Sequence, residues 1–561
     1  MSVPMNKPSD ISTRPRVLII GAGINGCGLF RDLCLQGVDC VLVDRGDICE
    51  GASAAPSRLI HGGIKYLETG EFRLVRESCL ERNRLLRNAP HYVKPLETLI
   101  PVRSWFGGVL TSALRFFGIK VKLNDRGAFI TEIGLRLYDF YSRAIQALPN
   151  HRFFGQSRLR QEMPLFDQSI IAAGLYCEGR VTHGERLGLE LVLDGLADNP
   201  SSQVVLYNTV SRSASGQFQL TDRLTGKVRH VDASYVVNAG GAWIDDVNRG
   251  LGLDTHYMGG SKGSHLIVDH PELFNALKDR MVYFGTADGR VNLLYPFFNH
   301  VLIGSTDIKI THPDEAQCSD DEIDYLFNAI REIFPTIKLD RDQIILTYCG
   351  VRPLPRSDGK QIGDVSRDHY MARDTIPGTS LPLLSLIGGK WTTFRAFADE
   401  AADLILAHFG TTRLQKTEDA AIGGGRHFPL TEIARKNWLL ENAELYRSTS
   451  KRMEELLDRY GTRAELIAAI ERDRGFEPLT FLTTYSRAEI VFLCQAEHVS
   501  RLSDIVLRRT EMAMAGQINL SAIREIAELV SNELAWDQAR IESEIENTIQ
   551  EMHRRRVRLA A

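Results

Sequence analysis

Val17-Leu18-Ile19-Ile20-Gly21-Ala22-Gly23-Ile24-Asn25-Gly26-Cys27-Gly28 is the stretch that decides the fold. Four apolar residues make a short buried strand, and the G-x-G-x-x-G run after them turns the chain into a helix. Gly21 permits the tight turn, Gly23 lets a pyrophosphate approach the backbone, and Gly26 lets helix and strand pack closely. The helix N-terminus then points N–H groups at phosphates. A second strand, Cys40-Val41-Leu42-Val43, ends on Asp44, eighteen residues beyond Gly26. A carboxylate there is placed for the ribose hydroxyls of a dinucleotide. The glycine fingerprint alone is a weak signal, but strand, helix and acid together specify a dinucleotide site. A strand–helix turn without a ligand would not need the acid.

Two further stretches repeat the strand-then-glycine pattern. They are Tyr235-Val236-Val237-Asn238-Ala239-Gly240-Gly241 and Leu383-Leu384-Ser385-Leu386-Ile387-Gly388-Gly389-Lys390-Trp391-Thr392. The second leads into an amphipathic helix expected over 392–408. The nucleotide domain is therefore read as discontinuous, with turns opening at residues 21, 240 and 388 converging on one cofactor. Near the first turn, the small-residue loop from Gly51 through Ser53 to Ser57 suits close passage of a phosphate or ring. His61-Gly62-Gly63 lets the backbone lie flat against something planar. A helix rich in Glu and Arg is expected from about Phe72 to Arg87, its charges forming a solvated face.

Runs at His265–Val268, Val291–Tyr295 and Val301–Ile303 read as a separate sheet that floors a substrate pocket. Phe106, Leu110, Leu114 and Phe117 recur at helical spacing within 105–121, bordered by Arg103, Lys120 and Lys122. A buried helix and a helix lying in a membrane surface both satisfy that pattern, and burial is the default. Beyond Gly423-Gly424-Gly425, read as a linker, the chain becomes helix after helix. Met453, Leu456, Leu457 and Tyr460 share one face and stop at Gly461. Thr462…Glu465 and Ser486…Glu489 signal capping boxes. The basic run His553–Arg558 is expected as a solvated tail, with anionic lipid as the alternative contact.

The expected division is a disordered 1–16, a dinucleotide-binding domain from 17–90, 165–250 and 345–410, and a substrate or cap domain from 91–164 and 251–344. A helical domain spans 425–561. The fold class is thus α/β + α, a discontinuous Rossmann-like domain with an inserted mixed sheet and added helices. A length of 561 residues requires two to four domains. A net charge of −4 gives no reason to expect nucleic acid as a partner. Nine cysteines without C-x-x-C or zinc spacing read as reduced thiols of a cytoplasmic protein, and no metal site is expected. No apolar run reaches the 18 residues a membrane span needs.

These residues resemble the FAD-dependent, respiratory-type glycerol-3-phosphate dehydrogenases over nearly the whole chain. The resemblance is carried by Leu59-Ile60-His61-Gly62-Gly63 with Tyr66-Leu67-Glu68, Lys262-Gly263-Ser264-His265, and Gly304-Ser305-Thr306-Asp307. Gly350-Val351-Arg352-Pro353-Leu354, Ser366-Arg367-Asp368, Gly388-Gly389-Lys390 with Thr392-Thr393, and Arg508-Arg509-Thr510 complete it. It implies FAD as cofactor and a two-domain flavoprotein with an added helical domain. It also implies a peripheral location on the cytoplasmic face of the inner membrane, with electrons passing to quinone. A homodimer is the expected assembly. Lys65 stands where the family usually has arginine, which keeps the charge but loses the bidentate fork. The usual Thr-Ser-Ser-x-Ser loop is Ala52-Ser53-Ala54-Ala55-Pro56, and Arg58 replaces a lysine.

Oxidising a secondary alcohol needs a hydride acceptor, a base for the hydroxyl proton and positive charge near the developing alkoxide. His265 and His61 are the candidate bases, with His265 preferred, and a histidine satisfied by backbone is the alternative for each. Arg352 is expected to hold the reacting hydroxyl and Lys390 to lie by the flavin ring or substrate. Substrate phosphate falls to Lys65, Tyr66 and Arg367. The cofactor is assigned to Gly21, Gly23, Asn25, Gly26, Asp44, Ser53, Ser57, Gly62, Gly63, Gly240, Gly388, Gly389 and Thr392. The expected activity is oxidation of a polyol phosphate, first sn-glycerol 3-phosphate to dihydroxyacetone phosphate. A tetritol phosphate such as erythritol phosphate is the rival, and an amino-acid or amine oxidase the more distant one.

Overall fold

The computed structural model describes residues 16–67, 70–107, 127–213, 215–286, 288–356 and 368–560. Its first sheet has six strands, in the order Tyr370–Thr375, Pro382–Ile387, Tyr235–Asn238, Val17–Ile20, Cys40–Val43 and Gln203–Val205. All neighbours are parallel except the first pair. Val17–Ile20 is fully buried because both faces of the sheet are covered, which is why it reads as an unbroken apolar run. Val17 and Ile19 pack with Leu29, Leu33, Leu187, Phe397 and Ile405 of the helices on one side. Leu18 and Ile20 pack with Phe218, Leu220 and Val231 of a three-stranded antiparallel sheet on the other.

Register explains the glycine turns. Ile20 lies opposite Asn238, and Asn238 opposite Ser385, in parallel strands. The turns at Gly21, Gly240 and Gly388 therefore leave the same carboxyl edge, side by side. Val17–Ile20 has neighbours on either side whose connections run opposite ways, the place where open α/β sheets bind ligands.

The second sheet has ten strands, among them Leu59–Ile60, Val93–Val102, Ala172–Val181, Ser261–Val268, Val291–Phe297, His300–Gly304 and Ile344–Arg352. Leu59–Ile60, Ala172–Val181 and Ile344–Arg352 belong to this sheet although they fall within the segments 17–90, 165–250 and 345–410. The sheets therefore cut across those divisions, because a strand's partner is set by long-range pairing and local sequence does not carry it.

Helix Phe72–Asn88 forms as expected, with Arg73, Arg76 and Arg87 facing solvent, but not all of its charges lie on that face. Glu81 and Arg82 are buried, Arg82 against Glu178 and Glu81 against Arg395. The helix Phe394–His408 follows the third turn. Gly423–Gly425 is a packed joint and not a linker. A Cβ on Gly424 would lie 2.1 Å from the Tyr460 carbonyl oxygen, and its N–H donates to Glu190. The helical lobe beyond it has its own core around Met453, Leu456, Tyr460, Ile490, Phe492, Ile523 and Ile526. Ser486 and Glu489 make the expected capping box. Thr462 does not cap a helix. It sits in a 3-10 turn, and its hydroxyl donates to the carbonyls of Gly424 and Arg426.

The basic run does not dangle in solvent. Arg555 accepts from the Thr347 N–H with its carbonyl, Arg558 donates to Ile345, and Arg556 and Arg558 pair with Asp320 and Asp269. Of the 105–121 segment, Trp105 and Phe106 are exposed, and Leu110, Leu114 and Phe117 lie outside the described residues.

Candidate functional site

A cavity of about 1520 Å³ is lined by residues of both sheets. Gly21, Gly23, Asn25, Asp44, Ser53, Ser57, Gly63, Gly240, Gly388, Gly389 and Thr392 line it, and so do His61, Lys65, Tyr66, His265, Arg352 and Lys390. Gly26 and Gly62 do not. A Cβ on Gly26 would sit 1.9 Å from the Gly21 carbonyl oxygen, so this glycine permits helix–turn contact behind the cavity wall. The Gly62 N–H donates to the Tyr138 hydroxyl, and a Cβ there would meet Cys79 Sγ at 2.5 Å, again a packing position. Arg367 lies outside the described residues.

The cradle end is made mostly of backbone. Gly21 has φ +112°, a conformation that side chains disfavour, and a Cβ on it would collide with Ala239. The Ile24 N–H in the first helical turn donates to Ser53 Oγ at 3.0 Å. Asn25 Nδ2 donates to the Gly388 carbonyl at 3.2 Å, tying two of the turns together, while its buried Oδ1 has no hydrogen-bond partner. Asp44 accepts from the N–H groups of Ala22 (2.6 Å) and Gly46 (2.8 Å), so the acid also clamps the first glycine turn. Burial pushes its carboxyl up to about 6 against those two hydrogen bonds. A wall made mostly of backbone, a helix N-terminus and an orphaned acceptor fit an extended dinucleotide such as FAD.

The other end is made of side chains on the ten-stranded sheet. His265 lies opposite Tyr348, Gly263 opposite Gly350, and Ser261 opposite Arg352. Paired antiparallel residues share a face, so His265 and Arg352 frame a patch of glycine on one surface. The Arg352 guanidinium lies back over Gly263, where a Cβ would come within 2.3 Å of it. It donates to Ser305 Oγ (3.0 Å), the Thr306 carbonyl (2.9 Å) and Asp307 (3.0 Å). His265 stacks on Tyr348 with ring centroids 4.9 Å apart and shares a 2.8 Å hydrogen bond with Ser57 Oγ through Nε2. Its buried Nδ1 has no hydrogen-bond partner. Burial, then the positive charges of Arg352 and Arg58, lower the His265 imidazole to about 3.

Lys390 donates to Ser78 Oγ at 2.7 Å and its ammonium lies 4.8 Å from the Tyr66 ring centre. Lys390 is thereby grouped with Tyr66 of the 61–67 turn, where His61 also sits, 6.5 Å from the Tyr66 ring. The His61 N–H donates to Thr392 Oγ1 at 3.0 Å, joining that turn to the third glycine turn. Cys349 also lines the cavity, and burial raises its thiol above the ordinary range.

Several residues in or behind the cavity wall had no assigned role in the sequence reading. Asp307 appears there only within a motif, and its pairing with Arg352 requires the fold. Glu322 accepts from Ser264, Thr306 and Lys262, and so pins the strand of His265 to the 304–307 loop. At the far end Arg45 lies over the Trp243 ring and pairs with Asp314, to which Trp243 Nε1 also donates. Nothing in their spacing marks them, since these partners lie between 16 and 269 residues apart.

A family model described as FAD dependent oxidoreductase matches residues 16–395. One described as the C-terminal domain of alpha-glycerophosphate oxidase matches residues 415–541. A glycerol-3-phosphate dehydrogenase from Synechocystis sp. is 32% identical, over 96% of this chain and 97% of its own. A D-erythritol 1-phosphate dehydrogenase from Brucella abortus is 31% identical, over 88% of this chain and 94% of its own. Among solved structures, the FAD complex of glycerol-3-phosphate dehydrogenase from Bacillus halodurans aligns with a TM-score of 0.73. That alignment covers 97% of this chain and 96% of the other at 21% identity, a likeness of fold. With its glycine cradle and matching helical lobe, this chain belongs to the FAD-dependent glycerol-3-phosphate dehydrogenase family.

Proposed function

We propose that this enzyme oxidises the secondary alcohol of a polyol phosphate, with sn-glycerol 3-phosphate the first substrate, and passes the electrons to quinone. The observation that carries the reading is the shared face on which His265 and Arg352 frame a glycine patch inside the cofactor cavity. Bound FAD supplies the hydride acceptor. Arg352, fixed by three acceptors, orients the substrate hydroxyl and stabilises negative charge developing on its oxygen. His265 is uncharged in the resting site, with one proton on its ring, so its unprotonated ring nitrogen can take the hydroxyl proton. Two guanidinium groups oppose that protonation, and a phosphate dianion beside Lys65, Tyr66 and Lys390 offsets them. The phosphate thus contributes to proton transfer as well as to affinity.

Erythritol 1-phosphate is a second candidate because Lys65 lacks the bidentate fork and the Brucella relative is 31% identical over 88% of this chain. The test is anaerobic bleaching of the flavin by glycerol 3-phosphate, erythritol 1-phosphate and unphosphorylated glycerol. Bleaching by the phosphates with little by glycerol supports the reading. Bleaching by an amino acid and by neither phosphate overturns it.

A peripheral membrane site fits the helix Ala128–Ser142, which exposes Phe129, Ile133, Leu137 and Phe140 on one face beside Trp105 and Phe106. No described helix is long and apolar enough to cross a membrane. Co-sedimentation with anionic vesicles, lost in F129S/F140S, tests it; a wild-type protein that stays in the supernatant at low salt removes it.

A further inference from the structure

We propose that Glu77, His369 and Glu400 form a binding site for one divalent transition-metal cation. The three come from different elements: Glu77 from helix Phe72–Asn88, Glu400 from helix Phe394–His408, and His369 from the residue before strand Tyr370–Thr375. One donor atom from each lies within 4.8 Å of the other two. His369 is only 7% exposed, yet neither of its ring nitrogens makes a hydrogen bond, and the buried Oε1 of Glu77 lacks one too. The contacts that exist are long, 3.4 Å from His369 Nε2 to Glu400 and 3.9 Å from Nδ1 to Glu77. Donors that face one another without hydrogen-bonding, with a buried imidazole unpaired, leave room for a cation.

Charge points the same way. The charged neighbours acting on Glu77 are His369, Arg73, Glu400 and Asp368. Arg73 already pairs with Asp368 and reaches Glu77 at 3.4 Å. Among the described residues, three carboxylates thus face a single guanidinium when His369 is neutral. One imidazole with two carboxylates suits Zn²⁺ or Mn²⁺, and the donor set contains no thiolate to select a softer ion. Glu400 is half exposed, which leaves an entry path and a position for water ligands.

The site also touches the cofactor cradle. A Cβ on Gly388 would lie 3.5 Å from His369 Cα, and the His369 ring lies 4.2 Å from that of Phe397. A cation bridging the two helices would therefore brace the third glycine turn from behind.

The experiment uses the FAD-loaded full chain after chelator treatment. Mn²⁺ uptake is followed by electron paramagnetic resonance of the free ion, and Zn²⁺ by the shift in thermal midpoint. One equivalent per chain is expected, with a raised midpoint. E400Q, a substitution at a half-exposed position that the core does not depend on, should weaken Mn²⁺ uptake at least tenfold and abolish the shift. E77Q should do the same. Absence of stoichiometric uptake by the wild-type chain, or uptake by E400Q equal to wild type, overturns the proposal and leaves His369 as an ion-pair hub.

Discussion

The two ends of the cavity are built on opposite plans. At the cradle end the wall is backbone, and function depends on side chains being absent from Gly21, Gly23 and Gly388. At the floor, the proposed chemistry rests on two long side chains, His265 and Arg352, held in place by residues from distant segments. A fault in the cradle should cost the cofactor, and often the fold. A fault in the floor should cost turnover while the protein stays yellow.

That contrast can be broken most severely at Gly26. A Cβ there would lie 1.9 Å from backbone, which cannot move aside, so G26A should lose FAD or fail to fold, read from flavin absorbance of purified protein. Next comes R352A, which should keep flavin content and lose about 10²–10³ in kcat/KM, the scale of one lost alkoxide donor. D307N tests the support behind it. One charge-assisted hydrogen bond of about 1.5 kcal/mol implies a loss of roughly tenfold in turnover.

His265 offers a test on the pH axis. Its folded value of about 3 lies below the ordinary 6.5, so an unfolded chain protonates this imidazole while the native one does not. The resulting stability is whole above pH 6.5 and is lost as pH falls from there toward 3. Between pH 7 and pH 5 this group should remove about 2 kcal/mol of stability, and H265N should flatten that slope in urea unfolding. The smallest effect is expected at Lys65. K65R should leave flavin reduction intact and shift the kcat/KM ratio between glycerol 3-phosphate and erythritol 1-phosphate by a few-fold. An unchanged ratio would remove Lys65 from substrate selection.

Sequence reading and structure agree best where chemistry is local. The turns at 21, 240 and 388 announce themselves because a short apolar strand ending in glycine carries its meaning within a few residues. The cavity assignments of His265, Arg352 and Lys390 followed from motifs of the same kind. What could not be read were partnerships across the chain. The charges of helix Phe72–Asn88 look like a solvated face, because their counter-ions Glu178 and Arg395 lie far along the sequence. Three consecutive glycines look like a hinge until Tyr460 and Glu190 are seen pressed against them. Arg508 and Arg509 were visible only as a motif, since the carboxylate they serve is Asp47, separated by 461 and 462 residues.

That last arrangement fastens the helical lobe to the nucleotide sheet. Asp47 is buried between both guanidinium groups. Burial alone would raise its carboxyl, but Arg509 and Arg508 hold it below the ordinary range. Arg186 with Glu497 and Tyr207 with Asp504 repeat the pattern across the same boundary. Dry contacts of this kind are poorly screened, so concentrated salt should not prise the lobes apart. Neither lobe is a portable module: transplanted alone, the helices would carry unmatched cations into a new host, and the orphaned sheet would expose a carboxylate shaped for a visitor that never arrives.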